Sequence, residues 1–180
     1  MIREIIVKLR DLYLVKIKWR QYDIGEHFHA GRNVVLWAKN KIVIGKNCYI
    51  GRNSQIETNV NIGNNVLIAN NVAIIGRYDH HYQEIGKTIR ESSQIRDLSY
   101  SWRGLNEETI IEDDVWIGYG SIILSGITIE TGSIIAAGTI VTKNIEKYSI
   151  YAGNPAKKIS SRFKDEFDLK RHLNLRKLKI

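Results

Sequence analysis

The sequence predicts an all-β solenoid with one long inserted loop and short terminal helices, and three observations carry that prediction. From Ile44 an aliphatic residue returns at every sixth position, through Ile50, Ile56, Ile62, Ile68 and Ile74, and the series resumes from Ile111 to Val141. Three residues after each aliphatic stands Asn, Asp or Gly, from Asn47 to Asn71 and from Asp114 to Asn144. The rule fails once, after Ile74, where the chain runs into Arg77-Tyr78-Asp79-His80-His81-Tyr82 and rejoins the pattern at Ile111.

A period of six belongs neither to a helix, with about 3.6 residues per turn, nor to an ordinary strand, with 2. It marks a short unit that repeats, and such units stack into solenoids. Asn and Gly adopt left-handed backbone angles most readily, so one corner per six residues turns the chain at each step. Three steps close a triangle of about 18 residues, and successive turns stack at strand spacing, about 4.8 Å. The aliphatic residues then form inward columns. The position four further on is small or β-branched as well, for example Cys48, Ser54, Val60, Val115, Ser121 and Thr139.

The flanks differ in character. Apolar residues at Ile2, Ile5, Ile6, Leu9, Leu12 and Tyr13 suit one helical face, although Ile5, Val7 and Leu9 also alternate as in a strand. Residues 1–33 are therefore expected as an N-terminal helical segment, with 21–43 irregular or made of imperfect first repeats. Residues 34–153 form the repeat domain, carrying the inserted loop 77–109. Residues 154–180 form a C-terminal turn, at Gly153-Asn154-Pro155, and a basic helix that includes Phe163, Phe167, Leu169, Leu173 and Leu178.

Composition narrows the function classes. A single Cys, Cys48, excludes an internal disulfide and fits a reducing compartment. No apolar run reaches the roughly 18 residues of a membrane span, and the N-terminus lacks a signal-peptide cleavage pattern. A soluble, cytoplasmic protein is expected. The net charge of +8 sits at the two ends rather than on the repeats, which disfavours a nucleic-acid groove along the body. Basic ends suit an anionic cofactor or an anionic membrane surface, and equally simple solubility.

The aliphatic repeat core offers no chemistry, so the insertion is the place to look for it. It holds Asp79, His80, His81 and Trp102, whereas His27, His29 and His172 read as ordinary surface or terminal residues. Histidine titrates near neutrality and takes a proton from an attacking hydroxyl. Asp79 is placed to orient a ring or to bind substrate. One coil of 18 residues sets position 57 beneath position 75, so Glu57 lies near the loop's departure and is a second candidate for binding an acceptor hydroxyl.

Over residues 40–155 the pattern resembles the hexapeptide-repeat proteins. That resemblance, not the period, implies a left-handed parallel β-helix. The segments Asn65–Val72, Asp79-His80, Asp114–Gly118, Ile135–Lys143 and Ala152–Ala156 look like acetyl-CoA-dependent O-acetyltransferases, the galactoside, maltose and surface-polysaccharide enzymes among them. The resemblance implies that His80 is the catalytic base, with His81 as fallback, and that Asp79, Glu57 and Trp102 face the acceptor. It implies a coenzyme groove along Trp116, Tyr119, Ala137, Thr142, Lys143, Lys157 and Lys158, where Tyr119 replaces a residue often small in relatives. It further implies a homotrimer with active sites between subunits, acetyl-CoA as donor, no metal, and a saccharide acceptor of surface-polysaccharide synthesis; the basic ends would suit a lipid-linked acceptor at the inner face of the membrane. Transfer to serine or an antibiotic, a zinc site of the carbonic anhydrase kind, and a non-enzymatic binding scaffold are the competing readings.

Overall fold

The structure, a computed structural model, describes residues 2–177, with side chains from Ile6 to Arg176. The side chains of Ile2 and Ile5, and Leu178, fall outside the described residues. It is a left-handed parallel β-helix. Fifteen short strands make five triangular coils: β1 (Asp23–Ile24), β2 (His29–Ala30) and β3 (Val35–Leu36) form the first, and β4 (Ile42–Ile44), β5 (Tyr49–Ile50) and β6 (Gln55–Glu57) the second. The third is β7 (Val60–Ile62), β8 (Leu67–Ile68) and β9 (Ala73–Ile75), and the fourth is β10 (Thr109–Ile111), β11 (Trp116–Ile117) and β12 (Ile122–Leu124). The fifth is β13 (Thr128–Ile129), β14 (Ile134–Ile135) and β15 (Ile140–Val141). Then β16 (Ser149–Ala152) extends the second face, and β17 (Lys157–Ser161) folds back antiparallel on it.

Three flat faces result: β1-β4-β7-β10-β13, then β2-β5-β8-β11-β14-β16-β17, then β3-β6-β9-β12-β15. Stacked partners lie 18 residues apart in the regular coils, as in Ile42↔Val60 and Trp116↔Ile134. Across the insertion the offset is 49, as in Val60↔Thr109. Thr109, at the end of the predicted loop, already belongs to a strand. The first coil spans 20 residues, Val35 pairing with Gln55, and it lies within the stretch whose spacing is irregular.

The columns account for the core. Every sixth-position aliphatic from Ile44 to Val141 is buried, and so are the partners four residues on, including Cys48, Ser54, Val66, Ser121 and Ile145. Burial lifts the Cys48 thiol above its ordinary value, as for a structural cysteine. Corners at Asn47, Asn53, Asn65, Asn71 and Asp114 take positive φ, as the repeat demands. Asn59 and Asn144 do not, contrary to the one-rule expectation. Each instead spends its side-chain oxygen on backbone N–H groups of a stacked coil, Asn59 on Asn40 (2.9 Å) and Asn144 on Thr128 (3.0 Å).

The N-terminal segment is helical: α1 (Ile2–Tyr13) continues into a π-turn at Leu14–Lys18, and Trp19 is buried against the first coil. At the other end, α2 (Glu166–Lys177) follows β17 and is anchored at the Asp114 corner. There Arg162 and Arg176 each reach the carboxylate at 2.9 Å.

Candidate active site

The insertion leaves the corner between the third and first faces, and neighbouring coils hold it there. Lys39 Nζ donates to the Asp97 carbonyl at 2.7 Å, Asn40 Nδ2 to that of Leu105 at 3.2 Å, and Lys41 pairs with Glu108 at 2.9 Å. Within the loop, Ile95 N–H donates to the Asp79 carbonyl and His81 N–H to that of Ser93, both at 2.8 Å. Buried Tyr100 donates its hydroxyl to the Tyr78 carbonyl. The segment 78–81 is thus clamped from both sides, which is what a positioned catalytic group requires.

Arg77, where the repeat breaks, is tied into the corner. Its N–H donates to Ser125 Oγ at 3.0 Å and its guanidinium to the Thr142 carbonyl at 3.4 Å, while Ser125 donates to Glu107 at 2.7 Å. Glu57 pairs directly with Ile75, as the 18-residue coil required. Its carboxylate is engaged rather than open: Arg96 binds it at 2.6 Å and lies over the Trp37 ring, 4.0 Å from the centroid.

The two histidines differ. The His81 ring stacks on Trp102 at 4.7 Å between centroids, and Tyr78 and Tyr82 close edge-on around that indole at 5.3 and 4.6 Å. His80 Nδ1 is buried and has no hydrogen-bond partner among the described residues. Arg77 Nε at the same corner and four buried atoms elsewhere also lack a hydrogen-bond partner among the described residues; what sets His80 Nδ1 apart is that it is an imidazole nitrogen, able to take a proton, in the clamped loop.

Asp79 folds its carboxylate over Gly76; a Cβ there would stand 1.8 Å from Asp79 Oδ1. Burial pushes the Asp79 carboxyl above its ordinary 3.8, and the Glu57 charge adds to the rise, opposed by His80 and Arg96. Its ionised form therefore strains the fold at neutral pH. The penalty is absent below the unfolded-chain value and complete above the folded one. Asp79→Asn is expected to raise Tm at pH 7 and to lose that advantage below about pH 4, while transfer activity falls. A Tm gain that persisted unchanged at low pH would contradict the origin given for it.

The other predicted residues divide between two edges of the third face and the second face. Thr142 and Lys143 lie at the insertion's corner, since Thr142 accepts from Arg77. Tyr119 and Ala137 stack at the opposite edge, where Gly138 N–H donates to the Tyr119 carbonyl and Tyr119 Oη meets Asn71 Nδ2 at 2.6 Å. Trp116 stands half-exposed on β11 of the second face. Lys157 and Lys158 lie in β17, with Lys158 paired to Glu146 at 2.7 Å. One chain does not gather these residues into one groove. Sequence reasoning missed Arg96, Trp37, Gly76 and Glu107. Trp37 was within reach, because it follows the Leu36↔Ile56 pair directly beneath Glu57, but the 20-residue first coil hid it.

The family described as bacterial transferase hexapeptide (six repeats) matches residues 41–76, and the hexapeptide repeat of succinyl-transferase matches 108–143. Two stretches of the array, one on each side of the insertion, are thus similar to transferase hexapeptide repeats. A probable macrolide acetyltransferase of Lysinibacillus sphaericus is 52% identical over 59 residues, 33% of this chain and 33% of its own length. The matched part thus spans about a third of that relative. A putative acetyltransferase of Saccharomyces cerevisiae is 28% identical over 163 residues, 88% of this chain and 67% of its own. Among solved structures, a mutant of AntD, an N-acyltransferase from Bacillus cereus in complex with dTDP and coenzyme A, superposes with a TM-score of 0.60 at 16% identity. It covers 88% of this chain and 94% of that one. That likeness is one of fold.

Proposed function

We propose that this protein is an acetyl-CoA-dependent O-acetyltransferase that modifies a saccharide hydroxyl in surface-polysaccharide (capsule or lipopolysaccharide) synthesis. One observation carries the reading: the orphan buried nitrogen of His80, held at the single break in an array similar on each side to transferase hexapeptide repeats. The imidazole removes the acceptor's hydroxyl proton as the oxygen attacks the thioester carbon. The carbon–oxygen bond forms, the tetrahedral oxyanion is met by backbone N–H groups, and the carbon–sulfur bond then breaks as His80 passes the acceptor's proton to the leaving thiolate. Asp79, whose carboxylate lies over Gly76 and is favoured by a positive charge on His80, steadies the imidazolium as it forms. Trp102, packed on His81, forms an apolar wall for the acceptor, and Glu57 with Arg96 forms its polar floor.

The enzyme works as a homotrimer. The candidate coenzyme residues occupy both edges of the third face and the second face, and a neighbouring subunit's edge set against the insertion completes one groove from them. Lys143, Lys157 and Lys158 then meet the coenzyme's phosphates. The protein is cytoplasmic and peripheral at the inner face of the membrane. In support, Ile6, Leu9, Leu12, Tyr13 and Ile17 of the N-terminal helical segment are exposed beside Lys8 and Lys16, a basic amphipathic surface.

Acetyl transfer measured against free sugars, lipid-linked oligosaccharides, serine, chloramphenicol and a macrolide tests the assignment, and the saccharides are expected to turn over fastest. A preference for the macrolide would favour the second reading, an antibiotic acceptor, which the Lysinibacillus sphaericus relative motivates. Acetyl-CoA at about 100 times its Kd is expected to stabilise the fold by about 2.7 kcal/mol. No rise in Tm at millimolar acetyl-CoA would leave a binding scaffold as the better account.

A further inference from the structure

Against the corner that joins the second and third faces, α1 walls one side of an open cavity of about 550 Å³, within the range of small-molecule sites. Ile6 and Val7 of α1 form its apolar side, and Arg10, His29, Arg32, Tyr49, Arg52 and Asn70 the rest of its walls. His29 is not the ordinary surface residue its sequence context suggested. Its Nδ1 lies 2.6 Å from Asp11, and its ring stacks on Tyr49 at 5.4 Å between centroids, giving the cavity a flat aromatic wall.

The charge of this cavity is one-sided. Asp11 is already engaged by His29 and by Arg10, at 2.6 and 3.0 Å. Arg32 and Arg52 make no ion pair among the described residues. They belong to successive coils: Asn53 N–H donates to the Arg32 carbonyl at 2.9 Å, and Asn33 Nδ2 to Asn53 Oδ1 at 3.1 Å. Coils stack at about 4.8 Å, so these two exposed corner residues present like charges side by side, which draws an anion to the space between them. Arg10 Nε is buried without a hydrogen-bond partner among the described residues. Asn70 gives its side-chain oxygen to Arg52 N–H at 2.9 Å, which fixes its amide at the cavity wall.

Three guanidinium groups around one space, two without an ion pair and one with an orphan N–H among the described residues, match an oxyanion with several acceptor faces better than a single carboxylate. We propose that this cavity binds a phosphate- or diphosphate-bearing small molecule, and that this ligand is the acceptor, held by its anionic end. The identification with the acceptor rests on the acetyltransferase reading; the binding of phosphate does not. Arg52 and Glu57 sit on one coil, at most roughly 17 Å apart along extended chain. The cavity and the base of the insertion therefore flank the third face. A ligand seated by its phosphate extends its uncharged end across that face.

Calorimetric titration of the whole protein with inorganic pyrophosphate, glucose 1-phosphate, glucose and coenzyme A tests this, in wild type and in the double variant Arg32→Glu/Arg52→Glu. Both side chains are exposed and leave the core untouched, and Arg32→Gln/Arg52→Gln serves as the milder pair. Pyrophosphate and glucose 1-phosphate are expected to bind wild type at least tenfold tighter than either variant, with glucose and coenzyme A unaffected. Absent pyrophosphate binding at millimolar concentration, or equal binding by the variants, overturns the site. A tenfold loss of coenzyme A affinity together with competition by pyrophosphate assigns the cavity to the donor and overturns its role in holding the acceptor. In transfer assays the variants are expected to raise KM for phosphorylated acceptors and leave KM for acetyl-CoA unchanged. Intact pyrophosphate binding in a protein that transfers no acetyl group would sink the acetyltransferase reading while sustaining the site.

Discussion

His80→Ala is expected to lower kcat for acetyl transfer by about 10²- to 10⁴-fold, the usual worth of a positioned general base. KM for acetyl-CoA should change little, because the imidazole acts on the acceptor's proton and not on the donor. His81→Ala separates the two adjacent histidines. Its ring is stacked on Trp102 inside an aromatic cluster with Tyr78 and Tyr82, so its loss loosens the loop and is expected to cost activity roughly tenfold. His80, by contrast, keeps Nδ1 free of any protein partner among the described residues. Truncating it removes no hydrogen bond, and the variant's Tm should stay within a few degrees of wild type. Added imidazole should restore part of the lost rate in His80→Ala and none in His81→Ala. Near-full activity in His80→Ala, with His81→Ala inactive, would move the base to His81 and remove the argument from the orphan nitrogen.

The scaffold was legible in the sequence because the solenoid repeats one local rule. Ile50, Ile68, Ile117 and Ile135 can be assigned to one buried column from spacing alone, and all four are buried. The same arithmetic set Glu57 beneath Ile75. It failed where geometry was set by other forces. The first coil carries two extra residues, which hid Trp37 beneath Glu57. Asn59 satisfies the composition of a corner but lacks its backbone angle, because its side chain bridges to the backbone of Asn40 and Lys41. Arg96 lies 39 residues from Glu57 in sequence and reaches it only through the path of the inserted loop. No periodicity encodes that path; it is set by tertiary contacts such as Lys39 to Asp97. His29 escaped notice for a similar reason, since its partner Asp11 comes from a helix outside the repeat.

Gly118→Val is expected to destabilise the protein by at least about 3 kcal/mol, at the upper end of overpacking costs. The reason is the spacing between coils rather than backbone angle. Gly118 N–H donates to the Ile135 carbonyl at 2.7 Å, and a Cβ there would stand 2.6 Å from Ala137 N, 2.7 Å from Ile135 O and 2.8 Å from Ala136 C. These are backbone atoms of the next coil, fixed by the ladder on both sides, so relief requires opening the stack and losing hydrogen bonds with it. For a chain of this size the change corresponds to a fall in Tm of roughly 6–12 °C. Gly120, two residues on, supplies the control. It has φ +67 and nothing within 4 Å of a Cβ, and its counterpart one coil earlier, Asn71, already takes φ 58. Gly120→Asn should therefore cost less than about 1 kcal/mol, because asparagine tolerates the left-handed region. Thermal melts of the two variants decide between the explanations. If Gly120→Asn fell as far as Gly118→Val, the glycines would be serving the corners. If Gly118→Val melted like wild type, the close approach of the coils would not limit the residue at that position.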